Sequence, residues 1–475
     1  MYHRHEISAE ELAAQHGFCE KIKGVWGGGP RLALVDTYGC QQNESDSEIL
    51  RGWLSECGCG FTDDPDKADV IAVNTCAVRA HAEMRALGNV GALVHAKEKN
   101  PDLLVCVGGC MAQQERMKLK LQESFRMVDL VFGPHELWKF PELLWGALER
   151  HGRHGGKSRL IAAAPSDGVI AEGLPRVRDG NAKAWLSIMN GCDNFCTYCI
   201  VPYVRGRERS RRPADIVAEA ETLATSGVHD ITLLGQNVNS YGKGLEDGWD
   251  FPDLLERLDR IDGDFVLRFM TSHPKDATEK LFRVMGASKK CAHHLHLPLQ
   301  SGSDRILKLM NRRYTAESYL EKAALARRYM PDLVLTTDII VGFPGETEQD
   351  FAQTLELVET VRFDAMFTFI FSPREGTPAA SMPDPVTRAE KQVWFDRLME
   401  TSNRISAEKH AEYVGKTFRV LVDGQTGAAP YNLSSRTKGG RLVHLAGDPS
   451  LVGRFVNVQI QDSTTWALFG EIENA

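Results

Sequence analysis

The chain has 475 residues, 43% hydrophobic and 25% charged, and a net charge of −8. That length suits about three domains, the composition excludes a disordered protein, and the acidic balance argues against a surface built throughout for nucleic acid. No apolar run reaches the roughly 20 residues that a membrane-crossing helix needs, no export signal opens the chain, and 11 cysteines, an odd number, argue against a disulfide framework, so a cytoplasmic protein with no membrane contact and reduced thiols is expected.

Residues 1–30 are expected to be a short leader with one helix, closed by Gly27-Gly28-Gly29-Pro30. After it, short apolar runs alternate with amphipathic stretches. RLALVD (31–36), DVIAVN (69–74) and LLVCVGG (103–109) read as buried strands; residues 45–56, 79–99 and 136–149 read as helices. Such alternation implies a parallel sheet with helices packed on it. Residues 151–181 are rich in Gly, Pro and charge and read as a linker.

A second alternating series starts at Ala184. Its strands are AWLSIMN, DITLLG, FVLRFMT, HHLHLPL, LVLTTDIIVG and AMFTFIF, separated by helices such as residues 214–227 and 347–361. Six β/α units suggest a partial barrel, whose chemistry belongs at the C-terminal ends of its strands. A long helix over 387–413 closes it, and TFRVLVDG, RLVHLAG, RFVNVQIQD and WALFGEI then read as a small β-barrel. The fold class is therefore α/β multidomain: a parallel-sheet domain over 30–150, the linker, a partial (β/α)6 barrel over 182–410 and a small β-barrel over 411–475.

The strongest chemical signal is Cys192-Asp-Asn-Phe-Cys196-Thr-Tyr-Cys199, directly after the first barrel strand. Three thiolates on one tight loop suit three corners of a 4Fe-4S cube and leave the fourth iron open. A zinc knuckle is the alternative, but zinc prefers four ligands and paired spacing. Cys40, Cys76 and Cys110 form a second constellation, each directly after an expected buried strand. The C-terminal ends of neighbouring parallel strands share one sheet edge, so three cysteines distant in sequence can meet. The alternative is three packed free thiols. Cys19, Cys57, Cys59, Cys106 and Cys291 lack the strand-end pattern and read as ordinary free thiols.

Gly235, Gln236 and Asn237 follow the second barrel strand, Ser272 and His273 the third, Gln300 and Ser301 the fourth, and Arg374 the sixth; Asp338 lies within the fifth. They are candidate cofactor or substrate contacts, with plain turn architecture as the alternative, and His273 and His296 could equally be core histidines. Arg205, Arg207, Arg209, Arg211 and Arg212 crowd the segment after the cysteine loop, and residues 150–213 hold 12 Lys and Arg against 5 Asp and Glu. The arginines are candidate contacts to RNA phosphate, or else a solvated face.

The motifs TYGCQQN, CDNFCTYCIVPYVRGRERSR, LLGQNVNSYG, RFMTSHP, HLPLQSGSDRILKLMNRRYT, TTDIIVGFPGETEQDF and FSPREGTPAA resemble the methylthiotransferase family of radical S-adenosylmethionine (SAM) enzymes over residues 30–475. The resemblance is nearest to its tRNA 2-methylthio-N6-isopentenyladenosine synthase branch; Gln42 departs from it, since that branch usually carries Met there. The family likeness implies a radical SAM cluster on Cys192, Cys196 and Cys199, an auxiliary 4Fe-4S cluster on Cys40, Cys76 and Cys110, S-adenosylmethionine as cofactor, and a TRAM-like RNA-binding tail. It implies that one SAM methylates a sulfur held at the auxiliary cluster. A second yields the radical that takes hydrogen from carbon 2 of an isopentenyl-adenosine beside the anticodon. The implied partners are a tRNA anticodon stem-loop, an electron donor protein and a sulfur donor. Other branches would act instead on a ribosomal-protein aspartate or on threonylcarbamoyl-adenosine in tRNA.

Overall fold

In a computed structural model, residues 5–27, 29–78, 80–154, 159–164, 168–178, 180, 182–427 and 429–473 are described. The start of the leader, Gly28, the expected helix start at Arg79, and residues 155–158, 165–167, 179 and 181 of the expected linker lie outside them. The chain divides into two compact units. The first takes residues 1–179 together with 190–193 and 199–209; the second takes 180–189, 194–198 and 210–475.

The first unit is built on a six-stranded parallel sheet in the order Cys59–Phe61, Arg31–Thr37, Val70–Thr75, Leu104–Gly109, Leu130–Phe132, Leu160–Ala162. Val70–Thr75 and Leu104–Gly109 are buried along their whole length. That is why they read as unbroken apolar runs rather than alternating ones: helices cover both faces of the sheet. Val70, Ala72, Leu104 and Cys106 face a core with Trp53, Leu54 and Phe140. Ile71, Val73, Val105 and Val107 face the opposite core with Ala86, Val90 and Leu121. The helix Gln41–Glu56 starts earlier than its apolar residues suggested, directly after Cys40. Two short strands of this sheet, Cys59–Phe61 and Leu130–Phe132, and the helix Glu115–Ser124 were not foreseen, and part of the expected linker adds the edge strand Leu160–Ala162. The segment expected to be one helix from Glu136 opens with a 3-10 turn, Pro134–Lys139, before the helix Phe140–His154.

In the second unit, Lys183–Ser187, Asp230–Leu234 and Val266–Phe269 form one parallel sheet. His294–His296, Val334–Val341 and Ala365–Ile370 form another. A bridge between Leu267 and Cys291 joins them into the expected series of six. Thr347 and Thr387 cap the following helices reciprocally with Asp350 and Glu390. The tail is a closed five-stranded barrel. Its unforeseen strand is Leu433–Thr437, whose Ser435 and Thr437 are buried despite their hydroxyls. The tail is fastened to the barrel strands: Arg268 pairs with Asp230 at 2.8 Å and donates to Lys438 O at 2.7 Å, and buried Arg441 pairs with buried Asp364.

Candidate functional site

At the C-terminal edge of the first unit's sheet, the loops after three adjacent strands carry Cys40, Cys76 and Cys110. Glycine makes the turn before two of them. Gly39 has φ +123° and a Cβ there would stand 2.4 Å from Cys76 Cβ; Gly109 has φ +94° and a Cβ would stand 2.5 Å from both Asn74 Oδ1 and Thr75 O. Only glycine tolerates both the conformation and the crowding. Two asparagines lock these loops. Asn43 Nδ2 donates to Tyr38 O (2.8 Å) and Thr75 O (3.0 Å), and Asn74 Nδ2 donates to Asn43 O (2.8 Å) and Ser47 Oγ (3.0 Å).

Cys40 is exposed, whereas Cys76 and Cys110 are buried. Burial pushes the Cys110 thiol up to about 12; Arg205 pulls it down, and the nearby Cys76 and Cys40 raise it further. Geometry brings the three loops together: a Cβ on Gly39 would stand 2.9 Å from Cys76 Sγ, Asn43 Oδ1 lies 3.9 Å from Cys40 Sγ, and Cys110 N donates to Thr75 O at 2.9 Å. Among the described residues, no three His, Cys, Asp or Glu side chains gather closely enough for one metal ion.

Arg205 enters this edge from the segment after the cysteine loop. It is 5% exposed, and its Nε donates to Cys110 Sγ at 3.1 Å. Its Nη2 reaches Asn43 Oδ1 (2.9 Å) and Asp46 Oδ2 (2.6 Å), and Gln42 Nε2 holds the other oxygen of Asp46 at 3.1 Å. Burial by itself would lower the basicity of Arg205, but Asp46, Cys110 and Cys40 more than reverse that and raise it. Asn43, Asp46 and Asn74 were missed as site residues. Their signal was adjacency: Asn43 and Asn74 lie within the strand-end cysteine motifs and Asp46 three residues beyond one of them.

Cys192 and Cys199 group with the first unit and Cys196 with the second. In the second unit the loop is pinned residue by residue. Asn311 Nδ2 donates to Asn194 O (3.2 Å) and Phe195 O (3.0 Å), Lys275 Nζ to Asn194 Oδ1 (2.6 Å), and Thr197 Oγ1 to Leu309 O (2.9 Å). Phe195 has φ +47°, a left-handed backbone that a bulky residue adopts only when its surroundings impose it. Buried Arg312 donates to Cys196 Sγ at 3.4 Å and to Pro298 O at 2.8 Å.

The ends of the second and third barrel strands carry a cluster of buried polar atoms without a protein partner: Asn237 Oδ1, both amide atoms of Asn239, Ser272 Oγ and His273 Nε2. Buried polar atoms are rarely left so, and a cluster of them points to a polar ligand. His273 Nδ1 accepts from Lys275 N at 3.2 Å, and burial, then Arg312, keeps the imidazole neutral by lowering its pKa far below the ordinary value. Thr271 and Gln300, at neighbouring strand ends, both have φ +72°. A Cβ on Gly235 would meet Met189 Cγ at 2.4 Å. Ser301 is spent on Thr354 and on Ser303 N and serves the turn.

Along the inner face of the last strands, Asp338 registers with Phe367 and Ile340 with Phe369. Thr368, between the two rings, turns the other way and meets Met399 of the helix Arg388–Ala411. Phe367 and Phe369 are 49% and 38% exposed, and the His296 ring lies 5.8 Å from that of Phe367 and 3.5 Å from Asp338 Oδ1. This aromatic wall was missed, although Phe at 367, 369 and 371 is a period-two signal. Arg374 lies beyond it, in the loop where its carbonyl accepts from Thr377.

The five arginines expected to meet RNA divide, two being buried and three not. Arg205 is buried as described. Arg211 is also buried, donating to Ser187 O (2.7 Å) and pairing with Glu219 (2.9 Å). Neither presents its charge to phosphate. Arg207 pairs with Asp193 at 2.7 Å, Arg209 caps the carbonyls of Arg205 and Arg207, and Arg212 is exposed. A cavity of about 280 Å³ at the seam between barrel and tail is lined by Lys289, Lys290, Arg419, Arg436 and Lys438. Most of that charge is committed: Arg419 to Asp264, Arg436 to Asp423, Lys438 to Lys289 O and Lys290 to Ile261 O.

The chain matches the uncharacterized protein family UPF0004 over residues 33–133, the Radical SAM superfamily over 186–358 and the TRAM domain over 411–472. It is 48% identical over 466 residues to a tRNA-2-methylthio-N(6)-dimethylallyladenosine synthase of Thermoanaerobacter sp., covering 98% of each chain. It is 46% identical over 472 residues to the synthase of the same name from Acetivibrio thermocellus, covering 98% of this chain and 97% of that one. Among solved structures, the radical S-adenosylmethionine methyltransferase TsrM from Kitasatospora setae, with cobalamin and a [4Fe-4S] cluster bound, shares the fold. Its TM-score is 0.55 at 17% identity, over 74% of this chain and 77% of that one.

Proposed function

The chain belongs to the family of tRNA-2-methylthio-N(6)-dimethylallyladenosine synthases, and from that premise we propose that it methylthiolates carbon 2 of a dimethylallyl-adenosine beside the anticodon of tRNA. The observation that carries the reading is the sheet edge where the loops after three adjacent strands bring Cys40, Cys76 and Cys110 together, in a chain that also holds the C-x3-C-x2-C loop. Cys40, Cys76 and Cys110 hold the auxiliary cluster, and Cys192, Cys196 and Cys199 hold the radical SAM cluster. When bound, the two [4Fe-4S] clusters and S-adenosylmethionine supply methyl donation, a sulfur atom and one-electron cleavage of a sulfonium, chemistry that side chains cannot perform on an aryl C–H bond.

The residues themselves bind and orient. Asn237, Asn239, Ser272 and neutral His273 offer unpartnered polar atoms to the amino, carboxylate and ribose groups of S-adenosylmethionine, and Gly235 keeps the floor clear. Gln236 and Gln300 at neighbouring strand ends and Asp338 within the strand Val334–Val341 complete the polar lining, and Arg374 borders it. Phe367 and Phe369 supply an apolar face against which a base and its branched five-carbon group stack. Arg212 and the tail domain, after the buried arginines are set aside, meet the RNA. An electron donor protein and a sulfur donor complete the cycle. No helix among the described residues is long and apolar enough to cross a membrane. Action on tRNA supports a cytoplasmic location.

The test is nucleoside mass spectrometry of dimethylallylated tRNA after incubation with reconstituted protein, S-adenosylmethionine, sulfide and a reductant. A gain of the 2-methylthio derivative is expected. Formation of 5′-deoxyadenosine with no change in the tRNA would overturn the substrate assignment.

A further inference from the structure

A buried arginine needs a reason to be where it is. Arg205 Nε ends on Cys110 Sγ at 3.1 Å, and the rest of the guanidinium is held by Asn43 Oδ1 and Asp46 Oδ2. Asp46 is itself fixed from the far side by Gln42 Nε2. The plane and direction of the donor are therefore set before any cluster binds. A guanidinium is permanently charged, and inside a protein its field on a sulfur one hydrogen bond away is weakly screened.

The construction recurs. Arg312 Nη1 donates to Cys196 Sγ at 3.4 Å and is likewise buried, held by Pro298 O and the Tyr314 hydroxyl. Among the described residues no carboxylate pairs with Arg312, whereas Asp46 offsets Arg205. Each cysteine set thus has one ligand sulfur facing one buried guanidinium, at full charge in one case and offset in the other.

We propose that Arg205 sets the reduction potential of the cluster held by Cys40, Cys76 and Cys110, with Asp46 as the opposing charge that moderates it. The reduced cluster carries one more negative charge than the oxidised one. A nearby cation and an N–H···S bond stabilise the reduced form and raise the potential, and a nearby carboxylate lowers it. Arg205 is a positioning residue in this sense: it acts through Cys110 and touches no reacting atom. The inference rests on the ligand assignment made above.

The test uses the full chain with Cys192→Ala, Cys196→Ala and Cys199→Ala, reconstituted anaerobically so that one cluster remains, with iron measured alongside a redox titration followed by electron paramagnetic resonance. R205M is expected to disfavour reduction by about tenfold or more, a fall of about 59 mV or more for one electron. D46N is expected to move the potential the opposite way. Because R205M leaves Asp46 buried without its cation, the R205M/D46N double variant provides a locally neutral control, and D46N alone reads the sign with Arg205 in place. Opposite shifts with about four irons retained establish the role, since a purely structural salt bridge would change iron content and not produce shifts of opposite sign. Unchanged potentials, or shifts of one sign, overturn it. A background protein that binds no iron overturns the ligand assignment instead, and the tuning role with it.

Discussion

Phe367 and Phe369 stand on the inner face of the last barrel strand with 49% and 38% of their surface uncovered. A phenylalanine buries roughly 150–250 Å² when fully covered, so a substrate has about 100 Å² and about 75 Å² left to cover on the two rings. At about 25 cal/mol per Å² each ring contributes about 2 kcal/mol, within the roughly 1–3 kcal/mol known for a base stacked on an aromatic side chain. Phe367→Ala or Phe369→Ala should therefore lower kcat/KM for a dimethylallyl-adenosine stem-loop by about 30-fold, mainly through KM. Folding should hardly suffer, because half-exposed rings cost far less to truncate than the about 3–5 kcal/mol of a buried one. The double variant should also lose most of its preference for the dimethylallylated stem-loop over the unmodified one, since the branched group adds apolar area to the same wall. The assay follows methylthio product and 5′-deoxyadenosine in one sample; the second should persist as radical formation uncouples from transfer. Unchanged kcat/KM in both single variants, or undiminished preference in the double, refutes the aromatic wall.

Gly109→Ala places a Cβ 2.5 Å from Thr75 O on a backbone with φ +94°. It should displace Cys110 and lose about four irons while the other cluster stays, as read by iron analysis. Arg441→Met leaves Asp364 buried without its cation beneath the tail barrel. It should cost about 3–5 kcal/mol in thermal unfolding, and adding Asp364→Asn should recover part of that. Burial raises the Glu346 carboxyl to about 7, although Gly342 N and Phe343 N donate to it. A folded pKa above the unfolded one means stability is full below the unfolded value and is lost as pH rises toward about 7. Glu346→Gln should flatten that part of the melting temperature profile, and an unaltered profile would contradict the assignment.

The strand-end cysteines were legible because two physical signals coincide there. An apolar run marks a strand, fully covered in Val70–Thr75 and Leu104–Gly109 but in Arg31–Thr37, expected to be buried, covered only at Ala33, and a cysteine directly after such a strand must lie at the sheet's C-terminal edge. The six barrel strands were legible as short apolar runs, although Ala365–Ile370 leaves Phe367 and Phe369 uncovered on one face. Leu433–Thr437 was not, because its inward positions are filled by Ser435 and Thr437, whose hydroxyls find partners only in the closed barrel. The arginine run was visible as charge, but linear charge does not show direction: the partners of Arg205 lie 159 and 162 residues away, at Asp46 and Asn43. The same holds for His273, where sequence left core and site equally open and the structure adds a buried ring whose Nε2 has no protein partner.

The most direct test of the account is iron and acid-labile sulfide analysis of the anaerobically reconstituted chain. Wild type should bind about eight irons, and replacement by alanine of Cys40, Cys76 and Cys110, or separately of Cys192, Cys196 and Cys199, should each leave about four. A wild-type content of about four, or a Cys40/Cys76/Cys110 variant that still holds about eight, would contradict it.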